Sequence, residues 1–562
     1  MLTTITGIEL DSGTTVDGAI INTTLGSGQS LKLDSITDGD TAAASLADGG
    51  IKVIQPNSST SLDLTLDDIG PAAASANENV FIDIAGANIA NLNITSANDS
   101  FVVLENSGAS ISTINIEGSG ALSLIGALPN SITTINGGTS STSFTVSTGT
   151  AGATITGGSG NDIIVLGGGN NNVNSGNGSD TVTLSTGNDT VNTGSGSDTV
   201  TASSGTNNIT TGASGDQITL SGGINTVNSG ASNDQFTISG GTNNIDTESG
   251  NDQITISGGN NTLTTGNNND VINVSNGVNN INTGSGNDQI TLTGGTNTLV
   301  TGNNNDTINV SGGNNDIDTD AGSDQVVLTG GTNDVNTGAN DDTVTLSGGT
   351  ETVDMGSGND TVVASGTLTT SDTVNGGDGT GDTIEITSAL TDALTARLSN
   401  FEILEIKGGG GLTHDITGLT GLTSLKASGA LTGAIVITDL AEAAEVDISA
   451  ALGNDLTINQ INSAGGADTL TVDFSGSNLT TGGSIIAPNI ETVTLKTSAS
   501  GAKTISGATF ADATNVTITA TGANLVINDF TATNITALDA SSSNKIVTIT
   551  TGADVFSSAF TF

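Results

Sequence analysis

The chain has 562 residues, of which 57 are acidic and eight basic, for a formal charge of −49. No Lys or Arg lies between Lys52 and Arg397, so there is no basic patch to hold phosphates, and nucleic acid is excluded as a partner. The same acidity disfavours adhesion to anionic lipid unless divalent cations bridge. The absence of cysteine removes any disulfide framework, and no apolar run approaches a membrane span, so no membrane insertion is expected.

The first segment, MLTTITGIELDSG, lacks the basic and apolar regions of a secretory signal peptide. Residues 1–150 read as β-structure without a clean period. The strand candidates are 61–66, 80–84, 101–104, 112–116 and 121–125, and the short Leu-Asn-Ile and Ile-Asn-Ile stretches look like irregular β-helix rungs. The pattern changes near residue 150, where we place a boundary.

From Gly157 a strict period takes over. An aspartate recurs every 18 residues, at Asp162, Asp180, Asp198, Asp216, Asp234, Asp252, Asp270, Asp288, Asp306, Asp324, Asp342 and Asp360. Halfway between runs a second ladder of Asn171, Asp189, Asn207, Asn225, Asn243, Asn261, Asn279, Asn297, Asn315, Asn333 and Glu351. Apolar residues stand two and four positions after each Asp (Val182 and Leu184, Ile218 and Leu220) and two after each half-period residue (Val191, Ile209). Such alternation in β-branched residues marks half-buried strands separated by Gly-rich turns. A fixed period of this length signals stacked coils, which bury the apolar face against one another. The Asp ladder then becomes a row of carboxylates about 4.8 Å apart. Neighbours in such a row repel by about 1 kcal/mol even in water. The row therefore calls for cations, and hard oxygen ligands suit calcium.

The turns before the Asp ladder read GGSGND (157–162), SGNGSD (175–180), TGSGSD (193–198), TGSGND (283–288) and MGSGND (355–360). Over roughly 157–386 they resemble the repeats-in-toxin (RTX) calcium-binding β-roll, with its nonapeptide G-G-x-G-x-D-x-U-x, U being apolar. The resemblance implies calcium held by the Asp carboxylates and turn carbonyls. Three departures stand out. The first Gly is usually Thr or Ser. The second becomes Ser232, Asn268, Asn304 or Asn340 in several coils, and Asn tolerates the left-handed backbone that a turn Gly supplies. The half-period edge carries Asn in place of a carboxylate, which predicts hydrogen-bonded amide ladders there and a one-sided roll, with calcium on the Asp edge. Because metal binding is then folding free energy, the repeats should be loose without calcium.

The roll closes at GGDGTGD (376–382), one more RTX-like turn out of phase with the ladder, which adds Asp378 and Asp382 as calcium ligands. The spacing predicts a helix over Ala389–Asn400, then a strand at 401–406 and short Thr- and Ala-rich rungs about every 20 residues. This order resembles the C-terminal half of RTX-type bacterial surface-layer proteins. That resemblance implies lattice contacts in the C-terminal region, attachment to cell-surface polysaccharide through the N-terminal one, and export by type I secretion. The ending TGADVFSSAFTF fits an uncleaved secretion signal as well as it fits a final strand.

No catalytic constellation is present in the sequence. The one histidine, His414, sits in the Gly-rich GGGGLTHD and reads as an exposed loop residue. With no Cys and one His there is no zinc signature, and no serine-hydrolase elbow occurs. The expected fold is all-β: a central parallel β-roll or β-solenoid of 18-residue coils (151–388), flanked by irregular β-helix or β-sandwich-like domains (1–150 and 389–562). The expected function is non-enzymatic, a secreted calcium-dependent surface-layer protein that assembles with itself. An extracellular filament or matrix subunit and an RTX-type adhesin module are the alternatives.

Overall fold

The computed structural model describes residues 7–10, 20–25, 29–34, 50–54, 59–69, 80–85, 88–105, 110–138, 141–364, 366–429, 431–442, 444–461 and 468–551. The proposed secretion signal at the C-terminal end, apart from its first residue Thr551, and the first six residues lie outside these. The chain divides into two compact units, Met1–Ser285 and Gly286–Phe562.

In the first unit the strands of the described coils pair in parallel, each meeting its equivalent one coil away. Ser61 pairs with Asn91, Asn91 with Thr113, Thr113 with Thr134, Thr134 with Thr154 and Thr154 with Asn172, so the coil shortens from 30 residues to 18. From there the period is fixed in both sheets: Asn172 pairs with Thr190 and Thr190 with Asn208, while Thr181 pairs with Thr199 and Thr199 with Gln217. Pairing of Phe144–Ser147 with Ile163–Val165 carries the stack through residue 150, where the sequence pattern changes. The irregular rungs and the regular coils are thus one kind of structure, differing in loop length.

In each coil the alternation does what the sequence requires. Strand Gln217–Leu220 is exposed at Gln217 and Thr219 and buried at Ile218 and Leu220; Thr206–Thr210 buries Asn207 and Ile209. The apolar columns Val182, Val200, Ile218, Phe236 and Ile254 from one sheet, and Val191, Ile209, Val227 and Ile245 from the other, are all buried. The core is two side chains wide and is completed only by stacking, because one coil cannot cover its own apolar face.

The second unit starts with the same geometry. Gln289 pairs with Thr307, Thr307 with Gln325, Gln325 with Thr343 and Thr343 with Thr361. Past the regular repeats the coils lengthen but stay parallel: Thr361 pairs with Thr383, Thr383 with Ile403 and Ile403 with Ser424. The C-terminal region is therefore a continued β-solenoid rather than a sandwich. Its strands extend to Asn515–Ala520 against Ala537–Asp539 and Leu525–Thr531 against Val547–Thr551. Among the described residues no helix is long and apolar enough to cross a membrane.

Two expectations are corrected. The helix expected over Ala389–Asn400 is a single turn, Asp392–Thr395, whose N-cap Thr391 makes no side-chain cap. Leu398–Ser399 leaves the helix to pair with Val374 and Asn375, burying Leu398; the stack's demand for the next rung overrides local helix propensity. His414 is not an exposed loop residue. It lies on strand Leu412–Asp415, fully buried, its Nδ1 accepting the Leu390 N–H at 3.3 Å. Burial in an apolar rung pushes its imidazole down to about 4, so it is a neutral core residue.

Candidate metal centre

The 18-residue register brings the ladder aspartates into one column within each unit, and the side chains turn inward beneath the Gly-rich turns. Asp162, Asp180, Asp198, Asp216, Asp234, Asp252 and Asp270 in the first unit are at most 1% exposed, as are Asp288, Asp306, Asp324, Asp342 and Asp360 in the second. One carboxylate oxygen is always used alike. The backbone N–H of Asp162 donates to Oδ1 of Asp180 at 2.7 Å, that of Asp180 to Asp198 at 2.7 Å, and that of Asp234 to Asp252 at 2.8 Å. The second unit repeats this from Asp288 to Asp306, Asp324, Asp342 and Asp360 at 2.7–2.8 Å. Each Asp thus caps the turn one coil earlier and locks adjacent turns together. Turn-to-turn bridges, such as Asn177 with Ser195 and Ser195 with Ala213, do the same on the backbone.

In nine of these aspartates the other carboxylate oxygen has no donor. Oδ2 of Asp162, Asp180, Asp198, Asp216, Asp234, Asp306, Asp324, Asp342 and Asp360 is buried without a hydrogen-bond partner. In coils where Ser or Thr replaces the first turn Gly, five residues before the Asp, hydroxyls lie beside the carboxylates. They are close enough to lower the carboxyl pKa, but their single proton goes elsewhere. Ser175 donates to the Thr193 carbonyl at 3.1 Å, Thr193 to Thr211 at 3.1 Å, and Thr337 to Met355 at 2.8 Å. At Asp252 the hydroxyl, that of Thr247, also meets Oδ2 within hydrogen-bond geometry.

Burial raises these carboxyls. Without an ion, Asp162, Asp234, Asp306 and Asp342 are pushed up to about 7, and Asp216 and Asp360 to about 6, chiefly by desolvation, with neighbouring aspartates adding a smaller repulsion. A stacked column of half-satisfied carboxylates, in a stretch of chain without Lys or Arg, fits a hard divalent cation. Among the described residues no three His, Cys, Asp or Glu side chains converge on one point. Calcium here would be held by carboxylates of neighbouring coils together with turn carbonyls, and would supply the positive charge that each Oδ2 lacks.

Residues 148–182, 183–218, 255–290, 292–326 and 328–362 match the family model of the RTX calcium-binding nonapeptide repeat (4 copies). The chain carries RTX repeats. Repeats of this kind bind calcium, and the parallel β-solenoid of about 18-residue coils fits them. No curated protein and no solved structure matches the chain. The RTX turns also explain the backbone. Asn268, Asn304 and Asn340 take φ of 79°, 80° and 84°, and Ser232 takes 112°, the left-handed conformation that Gly supplies at the same position in other coils.

The closing turn separates its two candidate ligands. Asp382 joins the column, accepting the Asp360 N–H at 2.9 Å with its own Oδ2 buried and unpartnered, although it lies 22 residues on rather than 18. The extra residues bulge mainly between strand Thr361–Ala364 and Asp372, so the sequence slips phase where the stack does not. Asp378 is exposed and bridges to Ser357 only through its backbone. A further rung is Glu402, whose Oε2 accepts the Asp382 N–H at 3.1 Å. The sequence signal was available: Glu402 stands two residues before the buried Leu404, as each ladder Asp stands two before its own apolar residue.

On the opposite edge the amide ladder is present. Within the first unit Nδ2 of Asn207 donates to Oδ1 of Asn225 at 2.8 Å, then Asn225 to Asn243, Asn243 to Asn261 and Asn261 to Asn279, each at 2.7 Å. In the second, Asn297, Asn315 and Asn333 continue alike, Asn333 donating to Glu351. The second amide proton goes to a carbonyl of the same turn, as from Asn243 to Gly240 O at 3.1 Å. Asparagine therefore caps the turn carbonyls that a cation would need.

Proposed function

We propose that this chain is a secreted, calcium-dependent structural protein of a bacterial surface layer, assembling with copies of itself. The observation that carries the reading is the column of buried carboxylates whose second oxygens lack donors. Such a column is a poor fold on its own and a good one once divalent cations bind, so folding and export to a calcium-rich medium are linked. RTX repeat proteins are typically secreted and extracellular, and the acidic, cysteine-free composition supports the same location. A structural role is favoured over catalysis because the outward faces of the regular coils carry Thr, Asn, Gln and Ser in place of the Tyr, His, Arg or Lys that solenoid enzymes use. Cell-surface polysaccharide is the expected anchor, and type I secretion the expected route.

A circular dichroism titration with Ca²⁺, with electron microscopy of the same samples, tests this. Ordered sheets that form with calcium and dissolve in chelator are expected. Filaments would favour an extracellular matrix subunit, and monomers that fold but never assemble would favour an adhesin module. A protein fully folded in chelator would remove the calcium mechanism.

A further inference from the structure

The amide edge contains one acid within its first unit, Asp189, and the ladder around it has a direction. Each asparagine from Asn207 onward points its Nδ2 at the following coil and its Oδ1 at the preceding one. Asn171 obeys the same rule: its Nδ2 donates to Asp189 Oδ1 at 2.8 Å, and its backbone N–H donates to the same oxygen at 2.9 Å. Asp189 Oδ1 is thereby saturated, and Asp189 Oδ2 stands where an asparagine would place its Nδ2. The next residue in the column, Asn207, has both amide protons committed, one to Ser204 O of its own turn at 2.9 Å and one forward to Asn225 Oδ1 at 2.8 Å. Its Oδ1 is left facing back.

The step from Asp189 to Asn207 therefore sets acceptor against acceptor. Asp189 Oδ2 and Asn207 Oδ1 are both buried and both lack a donor, in residues 1% and 2% exposed. The steps from Asn171, Asn207, Asn225, Asn243 and Asn261 each have a donor at that place. The backbone does not open to relieve the clash, because the Asn208 N–H still donates to the Asp189 carbonyl at 2.8 Å. Turning the Asn207 amide over would only move the conflict one coil on, to Asn225. No side chain can supply charge. The strands packed around Asp189 are Ile163–Val165, Asn172–Gly176, Thr181–Leu184, Thr199–Ala202 and Thr206–Thr210, and they contain no ionisable residue. The titratable groups of these coils, Asp162, Asp180, Asp198 and Asp216, all belong to the opposite edge.

Two species could fill the step. Calcium needs six to eight oxygens at about 2.3–2.6 Å, and the step offers two side-chain oxygens beneath a turn that stays in register. A proton needs one acceptor, and a carboxylic acid has the shape of the amide it replaces. We propose that Asp189 is a proton-binding site: the carboxyl takes a proton from solvent and donates it from Oδ2 to Oδ1 of Asn207, completing the amide ladder. Burial raises the Asp189 carboxyl in the same direction, against the two bonds from Asn171 that lower it. A carboxyl raised in the folded state contributes stability that is full below its unfolded pKa and lost as pH rises through the folded one. The coils on either side of Asp189 are thus locked in acid and released as pH rises through the raised carboxyl, on the edge opposite the Asp ladder.

The test compares the full chain, calcium-saturated, with Asp189→Asn, which extends the ladder with the residue its neighbours already use. Hydrogen exchange, corrected for its intrinsic pH dependence, is followed across strands Thr190–Asn192 and Thr206–Thr210. Protection in the parent chain should fall about tenfold or more as pH rises, while the variant stays protected throughout. The infrared difference between the two should show a carboxylic acid carbonyl that persists above the pH range in which ordinary aspartates ionise and vanishes at higher pH, a signature that an unburied Asp189 would not give. Protection in the parent chain that does not change with pH, or an acid carbonyl lost already in the ordinary aspartate range, would overturn the proposal. So would protection at high pH that excess calcium restores in the parent chain alone, since that would make the step a metal site.

Discussion

The backbone N–H of Asp180 donates to Oδ1 of Asp198 at 2.7 Å, while Oδ2 of Asp198 is buried with no donor at all. One carboxylate thus does two jobs: one oxygen holds adjacent turns together, and the other is left for an ion.

Those jobs can be separated by substitution. Asp198→Asn keeps an acceptor for the Asp180 N–H and removes the charge, so the chain should fold without calcium at least as well as its parent and bind fewer ions. Asp198→Ala leaves that buried N–H unpaired, at a cost of about 1–3 kcal/mol. Calcium stoichiometry by calorimetry and urea midpoints in chelator distinguish the two. Equal loss of metal-free stability in both variants would contradict the division of labour.

The metal-free chain should respond to pH with a definite sign. Asp162, Asp234, Asp306 and Asp342 lie near 7 in the folded state, against about 4 unfolded. Their protonated forms favour the fold, so this stability is present at pH 4 and lost as pH rises through about 6 to 7. In chelator, urea midpoints should fall from pH 5 to pH 8. With saturating calcium the trend should flatten or reverse, and calcium uptake near pH 6 should release protons. A metal-free midpoint that rises with pH would show that these carboxyls are not buried as described.

On the amide edge, Asn243 donates forward to Asn261 and to Gly240 O, and accepts from Asn225. Asn243→Ala breaks all three contacts and leaves buried groups unpaired, and should cost about 2–4 kcal/mol by the usual worth of such groups. The same change at exposed Asn244, one position along the strand, should cost under about 0.5 kcal/mol. Thermal unfolding of the two variants side by side measures the difference.

Ser232 holds φ of 112° in a turn where other coils place Gly or Asn. Ser232→Gly should stabilise the chain by about 1 kcal/mol through relief of that conformation. Asn304→Gly, starting from a milder φ of 80°, should gain less. Calcium-saturated melting temperatures rank the two, and the opposite order would be evidence against strain at Ser232.

The sequence by itself determined the repeat. Eighteen-residue spacing, period-2 burial and the apolar columns at Val182, Ile218 and Val191 follow from residue types alone, because a coil with one apolar face has nothing to bury it against except its copies. The amide ladder was legible for the same reason, since residues in register on parallel strands must meet. Tertiary structure decided what the period could not carry. It turned the aspartates inward, so that half of each carboxylate is spent on the neighbouring turn. It kept Asp382 and Glu402 in the column after the spacing slipped, because strand pairing absorbs extra residues in loops. It reduced Ala389–Asn400 to one helical turn and drew His414 into the core, where the need to complete the next rung outweighs local propensity. It also set the direction of the amide ladder, which makes Asp189 unlike the asparagines around it.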